Sequence, residues 1–152
     1  MVVAIRTAQQ LVVFSYTGQL LKEITLASSL LSPRHALQLD GNRYLLCHGW
    51  GGSAHGICVV DAKGRILRAA ARRPMSTSPT HMAIDQHGNI LVAEFFGNAV
   101  QQYDKQLNYI NDVIAQSSGL NRPFRLCLDN ATGHLYVGEY NHKGRVLLYD
   151  KK

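Results

Sequence analysis

Pro79-Thr80-His81-Met82-Ala83-Ile84-Asp85-Gln86-His87-Gly88-Asn89-Ile90-Leu91-Val92-Ala93-Glu94 reads as a strand, a turn and a second strand. What decides the fold is that this stretch recurs. Pro33-Arg34-His35-Ala36-Leu37-Gln38-Leu39-Asp40 precedes it, and Pro123-Phe124-Arg125-Leu126-Cys127-Leu128-Asp129 follows it. The prolines Pro33, Pro79 and Pro123 are spaced by 46 and 44 residues, and the aspartates Asp40, Asp85 and Asp129 by 45 and 44. Self-similarity at a fixed period of this length is the mark of a repeat architecture, in which one supersecondary unit is used again and again.

Each unit reads as four short strands. Proline opens the first, where its missing N–H breaks no ladder. The aspartate then begins a turn rich in glycine and asparagine, residues that tolerate tight and left-handed backbone. The second strand is continuously apolar, as in Tyr44-Leu45-Leu46-Cys47, Ile90-Leu91-Val92-Ala93 and Leu135-Tyr136-Val137-Gly138. Such runs suit strands covered on both faces. The third strand ends on Asp61, Asp104 and Asp150, and the fourth, around Ile66 and Tyr109, is more polar, as an outer strand should be. Shifting Ile90-Leu91-Val92-Ala93 back by 89 positions lands on Met1-Val2-Val3-Ala4, so the chain begins at a second strand. Four-stranded units of this length predict an all-β fold and specifically a partial β-propeller, one unit per blade. The blades divide the chain at approximately 1–30 (partial), 31–76, 77–120 and 121–152 (partial), fourteen strands in all. The whole of 1–152 is read as one domain.

The residues also resemble a family. Pro79, Met82-Ala83-Ile84-Asp85, Gly88-Asn89-Ile90-Leu91-Val92-Ala93-Glu94, Asn98, Val100-Gln101, and Tyr103-Asp104 together are similar to an NHL repeat, and Gly144-Arg145-Val146-Leu147-Leu148-Tyr149-Asp150 to the end of another. The resemblance is strong over 79–150 and weak over 1–60. It departs from the family pattern at Glu94 and Glu139, which stand in place of the usual aspartate, and at Trp50-Gly51-Gly52-Ser53-Ala54-His55. NHL propellers usually close six blades. Three and a half imply a piece of a propeller, one that needs further blades or self-association.

The chain has 152 residues, 46% of them hydrophobic, which argues against disorder. Sixteen Lys and Arg against ten Asp and Glu leave a net charge of +6 and a pI near 9.4, favouring acidic partners. Cys47, Cys58 and Cys127 each sit in an apolar run without CxxC spacing, so they are expected as buried core thiols in a reducing, cytoplasmic compartment. Neither a signal peptide nor an apolar run of membrane-spanning length is visible, so no membrane partner is expected.

Eight of the ten acidic residues fall at repeat-locked positions: Asp40, Asp61, Asp85, Glu94, Asp104, Asp129, Glu139 and Asp150. A residue needed in every blade is most simply a turn or packing residue, and no catalytic set or metal site is assigned to them. The bases follow the repeat less. One set does: His35, His81 and Arg125 lie two residues after each proline, with Arg34, Phe124 and Arg122 beside them. In a propeller the first strand lines the central channel, so these six residues are expected at one channel mouth. A basic, partly aromatic rim suits phosphates and stacked bases. Histidines near their ordinary pKa would strengthen such binding toward pH 6. Arg65, Arg68, Arg72 and Arg73 form an alternative basic patch, equally readable as charges guarding an outer strand against edge pairing. His48 and His55 flank the glycine-rich loop and are the least implausible pair for a metal, yet no HxH or HxxxH spacing supports them.

These readings point to a non-enzymatic recognition module binding protein or single-stranded RNA, without a cofactor. The resemblance implies the substrate-recognition NHL domain of tripartite-motif ubiquitin ligases, although no RING or B-box cysteine and histidine cluster is present. Its alternative is a fragment of a metal-dependent propeller enzyme of lactonase or amidating-lyase type.

Overall fold

Four antiparallel sheets follow one another along the chain, of three, four, four and three strands. They are seen in a computed structural model that describes residues 1–50, 55–71, 78–140 and 144–150. Sheet I holds β1 (Val2–Ile5), β2 (Gln10–Phe14) and β3 (Leu20–Thr25). Sheet II holds β4 (Pro33–Gln38), β5 (Arg43–His48), β6 (Gly56–Asp61) and β7 (Ile66–Ala69). Sheet III holds β8 (Pro79–Ile84), β9 (Ile90–Glu94), β10 (Ala99–Tyr103) and β11 (Tyr109–Ile114). Sheet IV holds β12 (Pro123–Asp129), β13 (His134–Glu139) and β14 (Val146–Asp150). In every sheet the strands pair in chain order, and a short 3-10 turn over Gln116–Ser118 leads from sheet III toward sheet IV. Among the described residues no helix is long and apolar enough to cross a membrane.

The sheets are joined along one side. The edge strand β4 packs on β1 and on β8, and β8 packs on β12. Three apolar cores fill the spaces between successive sheets. Leu11, Val13 and Ile24 of sheet I meet Ala36, Tyr44, Leu46 and Val60 of sheet II. Leu45, Cys47 and Val59 of sheet II meet Met82, Ile90 and Val92 of sheet III. Leu91, Ala93 and Val100 of sheet III meet Leu126, Leu135 and Val137 of sheet IV. Neighbouring residues of β5 and of β9 therefore serve opposite cores, which is why Tyr44 to Cys47 and Ile90 to Ala93 are apolar without alternation. β13 differs. Its Leu135 and Val137 are buried, whereas Tyr136 on its other face is 37% exposed. β7 is exposed throughout, as an outer strand should be.

The phase of sheet I follows from its turns. Gln9 and Asn98 lie 89 residues apart and share a φ of 49°. Ser15 replaces the third-strand aspartate, and its hydroxyl accepts the Thr17 and Gln19 amides as Asp104 accepts those of Gln106 and Asn108. So β1 occupies the place of a second strand. Gly64, at a φ of +75° in the turn between β6 and β7, lies against sheet I, where an added Cβ would stand 1.9 Å from the Thr25 carbonyl oxygen. Its own carbonyl accepts the Ala27 amide at 3.2 Å. Side chains larger than hydrogen are excluded there by contact as well as by backbone conformation.

One expectation is corrected. Cys47 and Cys58 are buried, but Cys127 is exposed. It lies opposite Tyr136 on the face of sheet IV that no further sheet covers.

Candidate recognition site

The prolines that open β4, β8 and β12 create the site. Pro33 pairs with His48, Pro79 with Glu94 and Pro123 with Glu139, and in each ladder the register slips immediately afterwards. The extra residue is Arg34, Thr80 or Phe124. A bulge of this kind breaks the alternation of the strand and re-aims the residue it inserts. Thr80 turns inward, its hydroxyl 3.3 Å from the Ala93 carbonyl oxygen and 3.2 Å from that of Pro123, tying β8 to β12. Arg34 and Phe124 instead join the loops that follow the second strands.

Those loops are held by buried acids. Glu94 Oε2 accepts the Ser78 amide at 3.1 Å, and Glu139 Oε1 accepts the Asn121 amide at 2.8 Å. Arg145 closes the second clamp, with Nη2 2.8 Å from Glu139 Oε2. Each carboxylate thus ties the end of a second strand to the segment entering the first. In sheet II the equivalent residue is His48, whose Nδ1 is buried without a hydrogen-bond partner among the described residues.

Immediately after these anchors come the aromatic residues. Trp50 lies 5.0 Å from Phe95 and 5.1 Å from Phe96, centroid to centroid. Phe95 lies 6.3 Å from Phe124 and 5.7 Å from Tyr140, and Phe124 lies 5.6 Å from Tyr140. The five rings form one continuous cluster across sheets II, III and IV. Phe95 is its buried centre, while Phe96 and Tyr140 are 47% and 61% exposed. Arginines cap it: Arg34 over Trp50 at 4.0 Å, Arg125 over Phe124 at 4.1 Å and Arg122 over Phe95 at 5.8 Å. None of the three forms an ion pair among the described residues. Guanidinium groups on ring faces at these distances are held electrostatically by the π-cloud while their N–H edges remain outside it.

His35 and His81 do something else. Their rings stack with centroids 3.7 Å apart and planes 22° from parallel. His35 Nδ1 accepts the Met82 amide at 3.2 Å, and His81 Nδ1 accepts the Leu126 amide at 3.3 Å. Each histidine of one sheet is thereby hydrogen-bonded to the first strand of the next. An Nδ1 that accepts must leave the ring proton on Nε2. Burial, then the neighbouring His81 and Arg125, lower His35 to about 3. Burial, then Arg125, lower His81 to about 4. The expectation that these histidines titrate near pH 6 is therefore overturned. Protonation would have to take place in an apolar stack, beside an arginine, at the expense of an amide hydrogen bond.

Five further repeat-locked acids, Asp40, Asp61, Asp85, Asp104 and Asp129, are turn residues, whereas Asp150 ends β14 and faces His134 at 3.2 Å. Asp85 Oδ1 accepts the amides of His87 and Asn89, and its Oδ2 the Asn89 side chain. Asp40, Asp61, Asp104 and Asp129 accept local hydrogen bonds in the same fashion; backbone amides foremost at Asp40 and Asp61, and the Asn108 and Thr132 side chains foremost at Asp104 and Asp129, hold all four below the usual carboxylate range. Among the described residues no group of three His, Cys, Asp or Glu is placed to hold a metal ion.

The alternative basic patch is divided. Arg65 pairs with Asp61 at 2.7 Å, and Arg68 Nη1 reaches across to the Gln106 carbonyl of sheet III at 3.4 Å. Arg72 and Arg73 lie outside the described residues. Arg68 lines a cleft of about 550 Å³ between sheets II and III with Arg43, Lys105, Leu67, Ile84 and Ile90.

So the structure brings Arg34, Arg122, Phe124 and Arg125 into one cluster, with His35 and His81 stacked alongside. Sequence reasoning missed Trp50, Phe95, Phe96 and Tyr140. The signal was present: Phe95 and Tyr140 directly follow the repeat-locked Glu94 and Glu139. Models of known protein families include none that matches this sequence, and no curated protein matches it either.

Proposed function

We propose that this chain is part of an NHL-type β-propeller, its four sheets being consecutive blades, and that it acts as a recognition module for single-stranded RNA. The fold reading is supported by four consecutive antiparallel meanders, joined edge to edge along their first strands and repeating at about 45 residues. By resemblance, the module would serve to choose substrates for a larger assembly, with catalysis, where present, supplied elsewhere. We place it in the cytoplasm, on the strength of three cysteines that remain free thiols.

One observation carries the ligand class: a contiguous aromatic cluster with two rings open to solvent and three arginines over its rings without a carboxylate partner among the described residues. Exposed rings accept bases of any identity by stacking, and guanidinium edges accept phosphate oxygens. Binding of a labelled single-stranded RNA, measured by fluorescence anisotropy at two salt concentrations, tests the reading. Salt-sensitive binding that collapses in the Phe124→Ala, Arg125→Ala double variant supports it. Affinity unchanged in that variant, with binding abolished when Arg68 is neutralised instead, would move the site to the cleft between sheets II and III.

A further inference from the structure

We propose that the cleft between sheets II and III is a second binding site, one that takes a small organic carboxylate with an apolar body, such as a medium-chain acyl carboxylate. It lies at the opposite end of the strands from the aromatic cluster, among the turns that join first strands to second and third to fourth. The inference goes beyond the RNA reading and does not rest on it.

The cleft exists because two junctions of the array are built differently. Between sheets I and II the β6–β7 turn closes on its neighbour through backbone: Gly64 meets Thr25, and its carbonyl accepts the Ala27 amide. The corresponding residue of the β10–β11 turn is Leu107, whose amide donates to the Asp104 carbonyl as that of Gly64 donates to Asp61. Leu107 holds a φ of 67°, a left-handed backbone that leucine rarely adopts. Its side chain is buried in the core between sheets II and III. A leucine therefore stands where glycine lets backbone meet backbone. Across this junction Arg68 Nη1 reaches the Gln106 carbonyl oxygen, at 3.4 Å.

A bulge supplies the lining. Val59 pairs with Arg68 and Val60 with Ile66, so Leu67 is the extra residue of β7. Along an unbroken strand Leu67 and Arg68 would point to opposite faces, yet both line the cleft. Val59, Ile84 and Ile90 continue the apolar wall, and Leu67 remains 54% exposed on it. The charged lining is Arg43, Arg68 and Lys105, and no acid lines the cleft among the described residues. Arg43 is already paired, its Nε 2.6 Å from Asp40 Oδ2. Arg68 and Lys105 have no ion-pair partner among the described residues. Asp104 feels the charge of Arg68, but its oxygens are engaged by the Gln106 and Asn108 amides and the Asn108 side chain. Two available cations beside an apolar wall complement one anionic group carried on hydrocarbon. A volume of about 550 Å³ is that of a small-molecule site.

The test is titration of octanoate, octanol and acetate into the whole chain, followed through the amide resonances of Leu67 and Lys105. Octanoate should shift them saturably. Acetate lacks the apolar body and octanol lacks the charge, so each should bind at least tenfold more weakly. Arg68→Gln with Lys105→Gln should weaken octanoate about tenfold and leave octanol unchanged, whereas Leu67→Ser should weaken both about tenfold. All three side chains are exposed, so these variants should keep the wild-type circular dichroism spectrum. The Phe124→Ala, Arg125→Ala variant should bind octanoate as the wild type does. No saturable shift with octanoate, or equal affinity for octanoate and octanol, overturns the proposal and leaves the RNA reading standing. A cleft that takes RNA but not octanoate, with RNA binding lost in Arg68→Gln, overturns both this proposal and the aromatic cluster as the RNA site.

Discussion

The two ends of these sheets hold their charged side chains in different ways. At one end, where first strands turn into second and third into fourth, the carboxylates of Asp40, Asp61, Asp85, Asp104 and Asp129 each accept hydrogen bonds from their own turns. At the other end, where second strands turn into third, the guanidiniums of Arg34, Arg122 and Arg125 lie on aromatic rings. Both groups are held in place, but only one is used up. A carboxylate oxygen that accepts two amides has little left for a ligand. A guanidinium on a ring is fixed through its face, and most of its N–H edge remains available. Repetition therefore means different things at the two ends: a locked turn at one, a row of presented donors and rings at the other.

The sharpest way to break this contrast is at the arginine end. Phe124→Ala with Arg125→Ala should lower affinity for single-stranded RNA by about 1–3 kcal/mol per stacked base lost, with an added salt-dependent component, and leave thermal stability nearly unchanged. Asp85→Ala at the other end should do the reverse. It removes an acceptor from two backbone amides and the Asn89 side chain, so stability should drop by about 1–3 kcal/mol in urea denaturation while RNA affinity stays within twofold. Equal loss of binding in both variants would erase the distinction.

Acid should separate the ends by pH window. His35 and His81 are lowered from 6.5 to about 3 and about 4 in the folded protein, so the unfolded chain takes up protons first. Their contribution is complete above about pH 6.5 and is lost as pH falls from there toward 4 and 3. The turn aspartates Asp40, Asp61, Asp104 and Asp129 are lowered from 3.8, so theirs is lost only below that value. Urea midpoints measured from pH 7 to 4 should fall in the wild type and fall less in a His35→Asn, His81→Asn variant. Equal slopes would show that the histidine stack does not couple to folding. The smallest effect expected is weak self-association. Tyr136, Leu148 and Val146 are 37%, 56% and 69% exposed on sheet IV. Size-exclusion elution should depend on concentration, and Leu148→Lys should reduce that dependence; a monomer at every concentration would show that this face tolerates water.

Strand boundaries, sheet membership and the turn role of the aspartates were all legible, because each depends on local chemistry that recurs: proline at a strand start, an aspartate before glycine and asparagine, an apolar run. The grouping of His35, His81 and Arg125 was legible for the same reason, since equal phase puts residues side by side. What escaped was set by the third dimension. Trp50 sits in a loop that breaks the repeat, and the bulges that aim Arg34 and Phe124 are slips of register rather than residue types. Histidine pKa values escaped as well, since they depend on one imidazole covering another. Cys127 was misjudged because an apolar strand at the end of the array is covered on one face only.

The hydrogen bonds that the Met82 and Leu126 amides donate to His35 and His81 give the array a direction. Each is closed by a side chain from the preceding sheet, so neither can exist until that sheet has docked. The histidines work as ratchet teeth between neighbours: slow hydrogen exchange at Met82 and Leu126 registers the joining of two sheets rather than the formation of either one, as the Ala27 amide on the Gly64 carbonyl does between sheets I and II.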